Sequence, residues 1–430
     1  MMKILKQIRT SKSIAVAYAF LLVSLAVNVS AQEFQRAKPE TVGMSQQRLG
    51  RLNETLDAYA INGRLAGGVA MVMRKGKLVY SHAFGFRDKE AGSKMSEDSI
   101  FRIASQSKAF TSVGVMILQE EGKLLISDPV SKYLPDFANT TVTVPKDGGG
   151  YEIVKAKRQI TIRDLLTHTA GIGYGDGTAR DKWEAAGVTG WYLSNRDETI
   201  QETVAKIAKL PMDAHPGEKW VYGYNTDILG AIIEKASGQR FDQFLSQKIL
   251  EPLGLSDTSF YLPESKVNRL AVVYSAKNEG IERAPDPGVG VGQGAYVKGP
   301  KKNFSGGAGI LSTAGNYLRF LQMLANGGEI DGKRILSRKS VELMITDHLR
   351  GIPYRDGQGF GLGFSIVKDL GARGVIGSEG EFAWGGAYHS TYWVDPKEQL
   401  VVVYMTQLIP AGNIDDFGKL RALIYQAIID

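Results

Sequence analysis

Ser105 and Lys108 stand three residues apart in Phe101-Arg-Ile-Ala-Ser-Gln-Ser-Lys-Ala-Phe110, at the head of a long apolar run. On a helix that spacing is almost one turn, so hydroxyl and amine project from one face. A helix N-terminus there adds free N–H groups and partial positive charge beside the serine. A hydroxyl nucleophile, an amine to take its proton and preorganised donors are the parts of an acyl-transfer site. Burial disfavours the charged form of an amine, which suits a lysine to the role of base. The pattern alone is weak, since roughly one or two Ser-x-x-Lys matches arise by chance in a chain of this length. Ser365-Ile-Val-Lys368 is such a second match. It reads as a strand, whose residues three apart face opposite sides.

Two other stretches carry groups that fit the same chemistry. Tyr222 lies in Trp220-Val-Tyr-Gly-Tyr224-Asn225, just ahead of a helix that Thr226 or Asp227 can cap and Gly238 can end. A free phenol, with a pKa near 10, is a poor base at neutral pH, but a neighbouring amine can share its proton. Taken alone, such a tyrosine is more often packing. The stretch Phe382-Ala-Trp384-Gly385-Gly386-Ala387 leads into a strand, and its two glycines allow a substrate close to the backbone. The N–H of Ala387 can then face that of Ser105 as the second donor of an oxyanion hole. A glycine bulge at a sheet edge is the plainer explanation of the same residues.

The elements that must position these groups follow from periodicity. Leu49, Leu52, Leu56, Ala60 and Ile61 mark an amphipathic helix over residues 45–61. Strands are expected at 67–73 and 77–84 around the Arg74-Lys75-Gly76 turn, and again at 361–367, 387–394 and 400–405. The helix after Ser105 is apolar on nearly every face, so it is buried, and Gly122 ends it. Between the two strand regions the chain reads as helices at 162–168, 200–210, 226–237, 241–249 and 314–326, with a Gly- and Pro-rich surface excursion at 280–303. A last helix is expected at 417–429. The fold class is therefore α+β. One antiparallel sheet is built from both chain ends and flanked by helices, a mainly helical part is inserted, and the site lies in the cleft between them. The sheet part spans about residues 40–100 and 305–430, the helical part about 101–304.

Composition narrows the chemistry further. With 43% hydrophobic and 23% charged residues the chain is an ordinary globular one. It has no cysteine, which excludes a thiol nucleophile, thiolate metal sites, disulfides and a lipidated cysteine. His82, His168, His215, His348 and His389 are scattered without a metal-ligand spacing, so no metal or other cofactor is expected. His168, at the end of a helix, reads as a structural hydrogen-bonder. Lys3, Lys6, Arg9 and Lys12 precede an apolar stretch at 14–29 and a small-residue site, Val29-Ser30-Ala31. This is the layout of a signal peptide cleaved after Ala31, with a retained membrane anchor as the alternative. Those four basic residues account for part of the net charge of +7, leaving 7 − 4 = +3 on the mature chain of residues 32–430, which gives no reason to expect a nucleic-acid partner. The expected location is secreted or periplasmic.

Ser-x-x-Lys, the Tyr222 loop and Trp-Gly-Gly, in that order, resemble the serine β-lactamase and penicillin-binding-protein superfamily, in its class C branch. Within that branch the chain is most similar to the family VIII bacterial carboxylesterases. Further stretches fit: Ile160-Thr-Ile-Arg-Asp-Leu-Leu-Thr-His-Thr-Ala-Gly171, Pro216-Gly-Glu-Lys-Trp220, Pro252-Leu-Gly-Leu-Ser-Asp-Thr258 and Trp393-Val-Asp-Pro396. The resemblance spans about residues 40 to 430. It implies Ser105 as acylated nucleophile, Lys108 as its base and Tyr222 as acid/base, with Ala387, Trp384, Gly385, Gly386 and Tyr224 at the substrate. Two positions depart from the pattern. Tyr224 stands where the branch has asparagine, Asn225 following one place late, and Trp384 stands where it has a cation or imidazole. The implied activity is hydrolysis of small carboxylic esters. The alternatives are a β-lactamase or D-amino-acid peptidase of the same fold, and a non-catalytic relative that binds peptidoglycan or a partner. No Gly-x-Ser-x-Gly elbow, Ser-Asp-Asn or Lys-Thr-Gly occurs, which removes the α/β-hydrolase and class A alternatives.

Overall fold

The structure, a computed structural model, describes residues 34–286 and 288–430; the expected signal peptide lies outside the described residues. Its centre is the pairing of the two chain ends. The strand Gly67–Arg74 runs antiparallel to Leu400–Thr406, with Gly68 opposite Thr406 and Arg74 opposite Leu400. Both strands are near-continuous apolar runs because both of their faces are covered. Val69, Met71, Met73, Val401, Val403 and Met405 face one core, which also holds Phe110 and Leu321. Ala70, Val72, Leu400, Val402 and Tyr404 face the other, against Leu49, Leu52, Leu56 and Ile424. At about 1.5–3 kcal/mol for each large side chain buried, a one-residue slip would cost far more than any loop could recover.

From this pair the sheet extends to eight antiparallel strands. On one side lie Lys77–Asp88 and Ser93–Lys94; on the other, in spatial order, Ser390–Asp395, Phe382–Gly386, Ser365–Val367 and Gln358–Phe360. Helices Gln46–Ile61 and Asp416–Tyr425 cover one face. The first is capped by Ser45, whose hydroxyl accepts from the Arg48 N–H. Helix Ala314–Ala325 lies on the opposite face, stacked through Phe320 on Phe110 at 4.0 Å. Phe110 belongs to helix Ser107–Glu120, buried at every residue from Ser107 to Leu118, as its all-round apolar pattern requires.

Several sequence expectations change in detail. The strand expected at 361–367 is a hairpin, Gln358–Phe360 and Ser365–Val367, because Gly363 turns the chain with φ of 100°. Trp384, Gly385 and Gly386 lie within a strand rather than ahead of one. Ala387 falls in the turn before Ser390–Asp395, closed by His389 in the left-handed region. The helix at 162–168 stops at Leu166, and the one at 241–249 runs from Phe241–Leu245 into a π-helical turn. Helix Asn225–Ser237 is not capped by Thr226 or Asp227, which sit inside its first turn. The excursion at 280–303 is not bare surface either. Gln293 and Tyr296 are buried there, and the Gln293 amide bonds the Val273 backbone and the Ala284 carbonyl.

Candidate active site

Ser105 does not open the α-helix as its spacing suggested. It sits in a 3₁₀ turn, Ala104–Gln106, and the α-helix begins at Ser107. Ala104 precedes it with φ of 41°, a left-handed conformation unfavourable for alanine and tolerated here at complete burial. The serine is thereby presented at the mouth of the buried helix, and Lys108 reaches back to it within one turn. Lys108 is only 2% exposed. Its Nζ lies 3.3 Å from Ser105 Oγ, 3.3 Å from Tyr174 Oη and 2.8 Å from the Gly307 carbonyl oxygen. It also stands 4.6 Å from the centre of the Tyr222 ring.

Tyr222 is fixed from three sides. Its hydroxyl accepts the Trp384 indole N–H at 3.2 Å, its ring stacks on Trp220 at 5.7 Å, and His168 packs at 4.8 Å. His168 accepts an N–H of Asn225 at Nδ1, which leaves its proton on Nε2. Burial first, and the Lys108 charge second, push the His168 pKa well below its ordinary value, so this histidine is neutral and structural. Asn225 is thus turned inward to His168 and the Ile172 and Val221 carbonyls. Tyr224 is a correction. It was expected at the substrate, but it is fully buried, stacks on Trp183 and donates to the Gly190 carbonyl. The loop that enters helix Asn225–Ser237 carries Tyr222, Tyr224 and Asn225 in three directions, and only Tyr222 points to the cleft.

Two groups escaped the sequence reading. Tyr174, from Gly171-Ile-Gly-Tyr-Gly175, joins Lys108 and packs edge-on to Tyr222 at 5.7 Å. Burial, then the neighbouring Tyr222 and Asp227 and a hydrogen bond with Tyr222, raise its pKa well above the ordinary phenol value, so it carries its proton at neutral pH. Its glycine-flanked position is the same kind of local signal as the Tyr222 loop. Asp227 gave no such signal. It is fully buried and accepts from Ser305 Oγ at 2.5 Å and the Gly307 N–H at 3.0 Å, fixing the loop whose carbonyl holds Lys108. Burial raises its pKa; Lys108, Ser305 and Gly307 oppose the rise.

The opposite wall is the strand Phe382–Gly386. A β-carbon on Gly386 would come within 2.4 Å of the Ile103 carbonyl oxygen, so only glycine lets this strand close on the Ser105 turn. Ser105, Tyr174, Tyr222, Trp384, Gly385, Gly386 and Ala387 together line one cleft of about 480 Å³. A larger hollow of about 820 Å³ beside Arg102 holds no nucleophile paired with a base. Among the described residues no cluster of His, Asp and Glu has the arrangement of a metal site, and no helix is long and apolar enough to cross a membrane. The second Ser-x-x-Lys is split as expected, Ser365 bonding Gln358 and Lys368 pairing with Asp347.

The sequence and overall fold resemble those of known proteins. The family model described as Beta-lactamase matches residues 52–422. The chain belongs to the β-lactamase family. Esterase EstB of Burkholderia gladioli is 32% identical over 381 residues, 84% of this chain and 91% of that protein. Monacolin J acid methylbutanoyltransferase of Aspergillus terreus is 26% identical over 392 residues, 84% and 91% of the two chains. Among solved structures, EstCE1, described as a hydrolase with promiscuous acyltransferase activity, superposes with a TM-score of 0.75 at 27% identity, covering 88% of this chain and 99% of its own. The protein is a serine hydrolase of the β-lactamase family with carboxylesterase-like relatives.

Proposed function

We propose that this β-lactamase-family hydrolase is exported and cleaves small carboxylic esters through an acyl-enzyme on Ser105. The observation that carries the reading is the Lys108 amine, held within 3.3 Å of both the Ser105 and Tyr174 hydroxyls. In acylation, Ser105 Oγ attacks the ester carbonyl carbon while its proton passes to the Lys108 amine. The Ser105 and Ala387 N–H groups receive the oxyanion. The bond to the alcohol oxygen then breaks, and that oxygen takes the Tyr222 phenolic proton. Tyr222 is recharged from the Lys108 ammonium through the Tyr174 hydroxyl. A water molecule attacks the acyl carbon next, the Lys108–Tyr222 pair removing its proton, and Ser105 Oγ leaves with a proton returned to it.

Trp384 supports esters over β-lactams. It offers one N–H and no charge on the strand where the superfamily places a cation or imidazole, and Tyr224 is turned away from the substrate. EstB is named an esterase, and the two acyl-transferring relatives support alcohols competing with water for the acyl group. The basic and apolar start of the chain supports export with cleavage after Ala31.

The test is kcat/KM for a short-chain nitrophenyl ester against a chromogenic cephalosporin on one preparation, with peptide mapping of a fluorophosphonate adduct. A far higher value for the ester and an adduct on the Ser105 peptide are expected. A preference for the cephalosporin overturns the ester reading, and an adduct elsewhere overturns the nucleophile.

A further inference from the structure

The strand that carries Trp384 brings no charge to the cleft, yet a charge stands there. Arg355, on the loop ahead of strand Gln358–Phe360, lines the same cleft as Ser105 and Tyr222. Its guanidinium carbon lies 5.3 Å from the centre of the Trp384 ring and 5.3 Å from that of Tyr354. Those rings are themselves anchored: Tyr354 packs on Trp220 at 4.8 Å, and Trp384 packs edge-on to Phe360 at 5.4 Å. A guanidinium is attracted to the face of an indole and stacks on it, so this aromatic bed fixes where an otherwise mobile cation rests.

What that cation faces is the second observation. No aspartate or glutamate lines the cleft. Its other arginine, Arg373, is tied to buried Glu381 at 3.1 Å, a carboxylate it shares with Arg421. Among the described residues Arg355 has no acidic partner, and its planar fork of five donors is free to take a carboxylate by two parallel hydrogen bonds. The third observation gives the direction. The indole under Arg355 donates to the Tyr222 hydroxyl at 3.2 Å, and Tyr222 is the group that meets the departing alcohol oxygen. The free cation therefore lies on the alcohol side of the scissile bond, over the face of that indole.

We propose that Arg355 anchors a carboxylate on the alcohol half of the substrate, so that the preferred esters are those of hydroxy acids. The proposal rests on the ester reading above. It sets such esters apart from bicyclic β-lactams, whose carboxylate sits on the ring atom next to the scissile nitrogen.

The experiment compares 3-acetoxybenzoate with neutral 3-acetoxybenzamide, two aryl acetates of like shape that differ in carboxylate against carboxamide. The ratio of their kcat/KM values in the wild-type protein favours the anion, and it falls about five- to tenfold in Arg355→Gln, less in Arg355→Lys. The wild-type preference also shrinks with added salt, since the pair forms at the cleft mouth. An equal ratio in wild type and Arg355→Gln overturns the anchor. A binding arm separates this from failure of the ester reading. Ser105→Ala, with and without Arg355→Gln, is titrated with 3-hydroxybenzoate and 3-hydroxybenzamide by NMR. Arg355-dependent binding of the anion in a protein inert to both esters keeps the anchor and refutes the ester reading. Turnover of both esters with no Arg355-dependent difference in rate or binding does the reverse, and inertness to both with no such binding overturns both.

Discussion

Removing the Tyr174 hydroxyl tests the proton path most directly, because Tyr174→Phe keeps the ring and its edge contacts with Tyr222 and Tyr224 at 5.7 and 5.0 Å. What disappears is one of the three acceptors around Lys108 Nζ, at 3.3 Å, leaving the Ser105 hydroxyl and the Gly307 carbonyl. A hydrogen bond to a charged group is worth about 1.5–3 kcal/mol. If it is fully formed only when Lys108 carries the transferred proton, kcat/KM falls about ten- to a hundredfold. The link to Tyr222 is cut as well, so leaving groups that need protonation suffer most: the loss is larger for an ethyl ester than for a nitrophenyl ester of the same acid. The assay is steady-state hydrolysis of both esters with the rate of fluorophosphonate labelling, alongside thermal unfolding to confirm that the fold is intact. Rates within about twofold of wild type for both esters, with normal stability, would refute the relay and reduce Tyr174 to a packing residue.

Ser105→Ala should abolish both turnover and covalent labelling while the unfolding midpoint stays within a few degrees, because the hydroxyl carries no packing; residual wild-type turnover would move the nucleophile elsewhere. Lys108→Ala and Tyr222→Phe should each slow hydrolysis by orders of magnitude, and the double variant should lose little more, since members of one relay are non-additive. Independent, multiplying losses in that cycle would disprove a shared proton. His168 gives a pH dependence of stability. Its folded pKa lies well below 6.5, so its contribution is fully present above about pH 6.5 and is lost as pH falls through the lowered value. Denaturant unfolding between pH 7 and 5 should therefore show a declining free energy whose slope flattens in His168→Gln, and an unchanged slope would rule out His168 as its source.

The periodicity of the apolar residues was enough to place the longer helices and the inner strands, because a strand buried on both faces, such as Leu400–Thr406, has few alternatives. Motif order was likewise enough for the family, and Ser105, Lys108 and Tyr222 come together as the resemblance implied. What local pattern could not convey was direction. Tyr222 and Tyr224 are two residues apart in one loop, and only packing against Trp183 and Gly190 turns the second inward. The Gly307 carbonyl, Asp227 and Tyr174 reach Lys108 from segments 199, 119 and 66 residues away, so no window of sequence joins them. Trp384 shows the division most clearly. Its identity declares that the strand itself brings no charge, whereas the cation that stands over its indole comes from a loop 29 residues earlier and is brought there by the fold of a hairpin. Covalent order fixes which groups a chain possesses and which faces must be buried. Which of those groups share a cleft depends on long-range pairing of strands and loops, where side-chain burial, not neighbourhood in sequence, sets the distances.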